Sequence, residues 1–282
     1  MTAAPLTEVL DWATRQRCAV AGLVVLGWED ARAFVEAADV TGLPVILQAG
    51  PGCRRYMPVQ VLGKMFRHLA DETRVPVVCH IDHAYTVEEC AAGIEHGFTS
   101  VMIDGSALEI GANIEITARV AEIARRAGVS VEGEVGVVGY ANGRPSAVTS
   151  PADAHRFAAE SGADALAISV GNVHLQTEKS DGIDFEALRH VEAVTRLPLV
   201  LHGGSGIPPH VRQRLARETG VKKFNIGTEL RMAFGAALRT SLATHHGVFD
   251  RNQLLAPTIP VLREAACGLL RELGPEAAGT EQ

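Results

Sequence analysis

Short apolar runs punctuate this chain at regular intervals. They are CAVAGLVVL (18–26), LPVILQ (43–48), VPVVCHID (75–82), TSVMID (99–104), VSVEGE (129–134), ADALAISV (163–170), LPLVLH (197–202) and VKKFNI (221–226). Each is rich in Val, Ile and Leu and shows little polar alternation, as expected of a strand covered on both faces. Longer amphipathic stretches lie between them. The clearest are EDARAFVEAADV (29–40), VEECAAGIEHG (87–97), ITARVAEIARRAG (116–128), PADAHRFAAESG (151–162) and FEALRHVEAV (185–194). Gly42, Gly97, Gly128, Gly162 and Gly220 stand where a left-handed glycine would end a helix before the next strand. Pro151 suits a first helical position behind a Ser150 cap. Eight strands alternating with helices predict an α/β fold, a closed (β/α)8 or TIM barrel. The competing arrangement is an open doubly wound sheet. No GxGxxG follows the first run, which argues against a dinucleotide site. A helix-like segment at 5–15 precedes the first strand and suits a cap on the barrel floor. Residues 1–282 read as one barrel domain, with a helical extension at about 245–273 and a polar, frayed tail.

Composition narrows the class. The 47% hydrophobic and 21% charged content belongs to a folded chain, not a disordered one. The net charge is -7 and no basic face stands out, which argues against nucleic acid. No apolar run approaches the ~20 residues of a membrane span, and the N-terminal segment lacks the apolar core of a signal peptide. Cys18, Cys53, Cys79, Cys90 and Cys267 form no CxxC pair; reduced thiols and a cytoplasmic location are the expectation.

The unusual polar residues cluster at one end of the predicted strands. Asp82 and His83 follow strand three, and Asp104 ends strand four. Glu132 and Glu134 end strand five, while Asn172 and His174 follow strand six. His202 ends strand seven, and Asn225 and Thr228 flank the end of strand eight. In a barrel these ends share one face, where active sites are built. A lone histidine there is most often structural. Three at the same end of three strands point to a metal site. Three imidazoles leave a position open on a zinc-like ion, and such an ion can polarise a carbonyl. Asp104 and Glu134 either join the metal or orient its ligands. His68, His96, His155, His190, His210, His245 and His246 lie in helices or loops and read as surface residues. LHGGSG (201–206) and NIGTEL (225–230) place small residues and a helix start after strands seven and eight. Barrel phosphate sites often use those two loops.

HIDH (80–83), MIDGS (102–106), VEGEVG (131–136), GNVH (171–174), LHGGSG and NIGTEL resemble, in order, the motifs of class II ketose-bisphosphate aldolases. The fructose- and tagatose-bisphosphate enzymes look nearest, and the likeness runs from about 17 to 240. The resemblance implies a zinc ion, or another divalent transition metal, on His83, His174 and His202, with Asp104 and Glu134 nearby. A monovalent cation is a further expectation. Asp82 would be the acid/base. Lys179, Gly203, Ser205, Asn225 and Thr228 would hold the phosphate of dihydroxyacetone phosphate. The implied reaction cleaves or forms a carbon–carbon bond through a metal-stabilised enediolate. The implied partner is a small sugar phosphate, and the implied assembly a homodimer or homotetramer.

The chain departs from the family pattern on the aldehyde side. The loop after VEGEVG is VVGYANGRPS (137–146), with Asn142 where a glutamate is usual. Leu175 replaces the glycine usual beside the third-motif histidine. The opening motif is AGLVVLGW (21–28), and AGPGCRRY (49–56) follows strand two. Arg54, Arg55, Tyr56, Tyr140, Asn142 and Arg144 therefore face the aldehyde side either as solvated loop residues or as contacts to an anion. The expected activity is an aldolase acting on a phosphorylated ketose with an unusual second half. A metal-dependent lyase or isomerase using the same enediolate is the alternative, followed by a non-catalytic sugar-phosphate binder.

Overall fold

The computed structural model describes residues 2–276, apart from Asn142 and Arg144. Expectations resting on those two residues, or on the tail beyond residue 276, lie outside the described residues. Eight strands form the barrel: β1 (Val20–Val24), β2 (Val45–Ala49), β3 (Val77–Ala84), β4 (Ser100–Ile103), β5 (Ser130–Val135), β6 (Ala165–Ile168), β7 (Leu199–Leu201) and β8 (Val221–Ile226). Each pairs in parallel with the next, and β8 returns to β1, with Phe224 opposite Ala21. That last pairing excludes the open sheet. A short parallel pair outside the barrel, Gly139–Tyr140 with Val173–His174, was not foreseen.

The intervening helices start and stop much as the chain predicts. Helix α7 (Pro151–Glu160) opens on Pro151, and the Ser150 hydroxyl accepts from the Asp153 amide at 3.3 Å. Gly42, Gly97, Gly128 and Gly162 are all left-handed. Gly220 is not among them. Helix α9 (Pro209–Glu218) ends on an extended Thr219, and the Glu192 carboxylate takes up the Gly220 amide. A side chain supplies there what a left-handed turn supplies elsewhere.

The barrel is sealed from below. Leu6, Val9, Leu10 and Ala13 of α1 (Leu6–Arg15) pack onto Val20, Ile46, Val78, Met102, Ala165, Ala167 and Val200. These residues form an apolar floor. Above it the same strands turn polar, because side chains two residues further along point to the same face. On the outside, α12 (Thr258–Leu273) packs against α2 (Trp28–Thr41).

Arg212 fastens this C-terminal helix to the mouth of the barrel. It is buried, and Nε and Nη2 donate to Glu272 of α12 at 2.5 and 3.0 Å. Nη1 donates to Glu229 at 2.6 Å and to the Gly204 carbonyl at 3.1 Å. Arg212→Ala would leave two carboxylates and a carbonyl without their cation. The expected cost is about 3 kcal/mol, the lower end for breaking a buried pair because both carboxylates keep some solvent contact. Urea denaturation would read it, and a loss below about 1 kcal/mol would make the clamp incidental.

Candidate metal centre and phosphate cradle

The site begins with a kink. Consecutive residues of a strand point to opposite faces, yet Asp82 and His83 both line one cavity. His83 achieves this with a φ of 49°, where the β3–β4 register shifts between Ile81 and Ala84. A non-glycine residue in that region is strained by roughly 1–2 kcal/mol. His174 arrives from the short outer pair, followed by Leu175 at φ 56°. The resemblance sets this residue in place of a glycine, and its backbone lies in the left-handed region that favours glycine. His202 follows β7 and is fully buried.

The three rings converge. Their centroids lie 4.7 Å (His83–His202), 5.5 Å (His83–His174) and 5.6 Å (His174–His202) apart. One nitrogen from each falls within 4.8 Å of the others. Bonds of about 2.0–2.1 Å to one ion require nitrogens about 3–4 Å apart, so small ring movements suffice. The Tyr140 ring stacks on His174 at 5.0 Å.

Carboxylates back the rings. Asp104 Oδ2 lies 2.9 Å from His83 Nδ1, which leaves Nε2 toward the centre. Glu134 Oε2 lies 3.8 Å from His83 Nδ1 and 3.5 Å from His202 Nδ1. Burial opposes charge on His83, but Asp82, Asp104 and Glu134 outweigh it and push its pKa up to about 10. Burial pushes Glu134 up to about 8, with Asp104 adding to it. Burial also acts against the Asp104 carboxylate, but His83 and Ser106 override it and hold it well below the usual range. Burial lowers His174 to about 4 and holds His202 well below the usual imidazole range. His202 Nδ1 and Glu134 Oε2 are buried without a hydrogen-bond partner. A cation between the rings would satisfy both, and this donor set of imidazole and carboxylate suits zinc or a similar divalent ion.

The cradle sits beside the rings. Gly203, Ser205, Asn225 and Thr228 line the cavity with Asp82, His83 and His174. Gly203 is left-handed, and a Cβ on it would meet the Val173 carbonyl at 2.2 Å. The Ser205 hydroxyl accepts from the Gly227 and Glu229 amides at 3.2 and 3.3 Å, which leaves its proton for a ligand. Helix α10 (Thr228–Thr244) starts there. Lys179 does not line the cavity; its ammonium lies 3.4 Å from Glu229 Oε2. Asn225 Nδ2 donates to Asp82 Oδ1 at 3.1 Å.

Arg54 does not reach the cavity with its charge. Its guanidinium donates to the Ala49, Asp82 and His83 carbonyls at 2.6, 2.5 and 3.0 Å, bracing the kink. Arg55 and Tyr56 are exposed. Arg231 lines the cavity instead, a residue that sequence reasoning passed over. Its signal is helical spacing: it stands three residues after Thr228. Gln48 was also passed over. It ends the run LPVILQ, and both its amide atoms are buried without partners.

The family model described as "Fructose-bisphosphate aldolase class-II" matches residues 4–276. The chain belongs to the class II fructose-bisphosphate aldolase family. Members of that family are carbon–carbon lyases that use a divalent metal. The fructose-bisphosphate aldolase of Geobacillus stearothermophilus is 34% identical over 281 residues, 97% of this chain and 98% of that one. The 6-phospho-5-dehydro-2-deoxy-D-gluconate aldolase of Shouchella clausii is also 34% identical, over 98% of this chain and 97% of that one. The crystal structure of the YdjI aldolase from Escherichia coli K12 superposes with a TM-score of 0.84 at 28% identity, covering 98% of this chain and 99% of that one. Among the described residues, no helix is long and apolar enough to cross a membrane.

Gly203→Ala in this aldolase tests the cradle. The new methyl group must displace the Val173 carbonyl in a strained backbone conformation. Binding of a sugar-phosphate ligand such as dihydroxyacetone phosphate should weaken about tenfold, about 1.4 kcal/mol, read by calorimetry, while the content of divalent metal is unchanged. Unchanged affinity would place the phosphate elsewhere.

Proposed function

We propose that this chain is an aldolase that cleaves or forms a carbon–carbon bond in a phosphorylated ketose, by way of the enediolate of dihydroxyacetone phosphate. The observation that carries the reading is one cavity lined by His83, His174, Asp82 and the Gly203–Ser205–Asn225–Thr228 cradle, with the buried His202 converging on the same two imidazoles. A divalent cation on His83, His174 and His202, zinc foremost, would polarise the ketose carbonyl and offset the enediolate charge. Gly203, Ser205, Asn225 and Thr228 hold the phosphate, and Asp104 and Glu134 fix the imidazoles and balance the ion. Asp82 is steadied through Oδ1 by Asn225 and turns Oδ2 toward Gly50 on the cavity wall. In cleavage it takes the proton of the C4 hydroxyl. The C3–C4 electron pair stays with the phosphorylated half, and C4 leaves as an aldehyde. A bare binding protein would have no use for a carboxylate in that position.

The aldehyde half is where this chain differs from an ordinary bisphosphate enzyme. The metal cavity measures about 170 Å3, small for a whole substrate. It shares Leu26 and Arg231 with a neighbouring cavity of about 680 Å3, walled by Trp28, Tyr56, Met57 and Phe234. This supports an aldehyde directed past Arg231 along largely apolar walls.

Three measurements test the reading. Asp82→Asn keeps the shape but cannot carry the proton, so kcat should fall about 100- to 10,000-fold with zinc still bound. Unchanged turnover would move the acid/base elsewhere. Across a panel of ketose 1-phosphates and 1,6-bisphosphates, kcat/KM should favour some ketose other than fructose or tagatose 1,6-bisphosphate. EDTA should abolish cleavage and zinc restore it. A bisphosphate winning by a wide margin would make the aldehyde side ordinary. An inert panel with tight binding of an enediolate-mimicking hydroxamate would favour the lyase or isomerase alternative.

A further inference from the structure

A second polar layer lies between the metal centre and the apolar floor. Glu132, Lys223, His80 and Ser100 are all buried at zero exposure on the barrel's inner face. They form a continuous chain. His202 Nε2 lies 3.1 Å from Glu132 Oε1, and Lys223 Nζ donates to Glu132 Oε2 at 2.6 Å. Lys223 Nζ also lies 3.4 Å from His80 Nε2, and His80 Nδ1 lies 2.9 Å from Ser100 Oγ. The proton pattern follows from donor chemistry. Lys223 Nζ can only donate, so Glu132 accepts at Oε2, and its other oxygen accepts the proton that His202 carries on Nε2. That makes Nδ1 the nitrogen with a free lone pair, and Nδ1 is the buried atom left unpartnered beside Glu134. His80 accepts from Lys223 on Nε2 and donates to Ser100 from Nδ1.

Barrel stability does not explain this layer. Removing a lysine and a glutamate from water costs several kcal/mol per ion, and well-packed apolar residues usually do as well or better. Apolar side chains do provide such packing on the same inner face: Val78 stands two residues before His80, and Met102 pairs with Glu132 in register. The distinctive product of the polar layer is one fixed tautomer and one ring orientation at His202.

We propose that Glu132 and Lys223 are positioning residues: Glu132 holds His202 with Nδ1 toward the metal, and Lys223 holds the Glu132 carboxylate in place from its other oxygen. The inference rests on the metal reading of the three histidines. Carboxylates that back metal-bound imidazoles are typically worth 10–100-fold in metal affinity.

The test uses the full chain with cobalt and zinc as probes. Wild type loaded with cobalt should show ligand-field bands, and zinc affinity is read by chelator competition. Glu132→Gln keeps the side-chain shape without the charge, and Glu132→Gln with Lys223→Met removes both charges together. Both should lower zinc affinity about 10–100-fold and shift the cobalt bands, and the double variant should unfold near the wild-type midpoint. A merely structural layer would move the midpoint and leave affinity and spectrum alone. Should the folded double variant bind zinc as tightly as wild type with an unchanged cobalt spectrum, the positioning role is overturned while the metal site stands. Should wild type itself take up neither metal, the metal reading falls and this inference with it.

Discussion

Inside a closed barrel a polar atom has no water to fall back on, and that constraint sorts the whole interior. The floor avoids the problem with apolar side chains. The next layer solves it internally, each of Glu132, Lys223, His80 and Ser100 answering another. At the mouth the accounting is left open. The buried atoms without partners belong to Gln48, Glu134, Ser169, His202 and Asn225, among the described residues. All five are inner residues at or just beyond the C-terminal ends of their strands. Each such atom costs on the order of 1–3 kcal/mol unless something binds it. The protein thus concentrates its unsatisfied polarity where a cation and a sugar phosphate would satisfy it.

Backbone strain follows the same distribution. Three non-glycine residues have positive φ among those described: Arg17, His83 and Leu175. Arg17 lies at the junction of α1 with the first strand, where a helix end explains it. The other two are a candidate ligand and the neighbour of one. His83 needs the kink so that it and Asp82 address the same cavity. The kink is held by Arg54, whose guanidinium ties three carbonyls across two strand ends. An arginine that sequence alone left as loop or anion contact is therefore a brace for the candidate proton-transfer residue.

Much of this was legible in the chain because a parallel barrel writes itself as repeated apolar runs, and the eight runs matched eight strands. The candidate ligands were legible because polar residues at the ends of apolar runs are conspicuous. What stayed hidden has a common cause. In VKKFNI, Lys222 points outward and donates to the Ala216 carbonyl, while Lys223 points into the barrel. Both look alike in a run without clear alternation. His80 sits in the middle of a run and carries no sign that its inner neighbours are charged. Arg212 and Arg231 lie on helices, where arginine is ordinary, and only the packing shows them buried or lining the cavity. Lys179 looked like a phosphate ligand by order along the chain, yet Glu229 competes for its charge.

The two halves of the cavity are held by different kinds of scaffold, and this bears on how such an enzyme can change substrate. His202, Asn225, Asp82 and Gly203 hang on strand ends or the turn directly after one, whose positions are set by hydrogen bonding around the closed barrel. Moving one of them means shifting the register of a sheet with no free edge. The lining is completed by Leu26, Tyr140 and Leu175, which stand outside the barrel strands and are partly exposed. A loop residue can be exchanged without disturbing the ladder. The departures that the resemblance implies fall partly on connecting segments, at AGPGCRRY and VVGYANGRPS, and partly at the end of β1 and just after it, in AGLVVLGW, while Asp82, His202, Gly203 and Asn225 match it. Chemistry anchored to strands and recognition carried by loops is what lets one barrel keep its bond-breaking centre while the group beyond the bond changes.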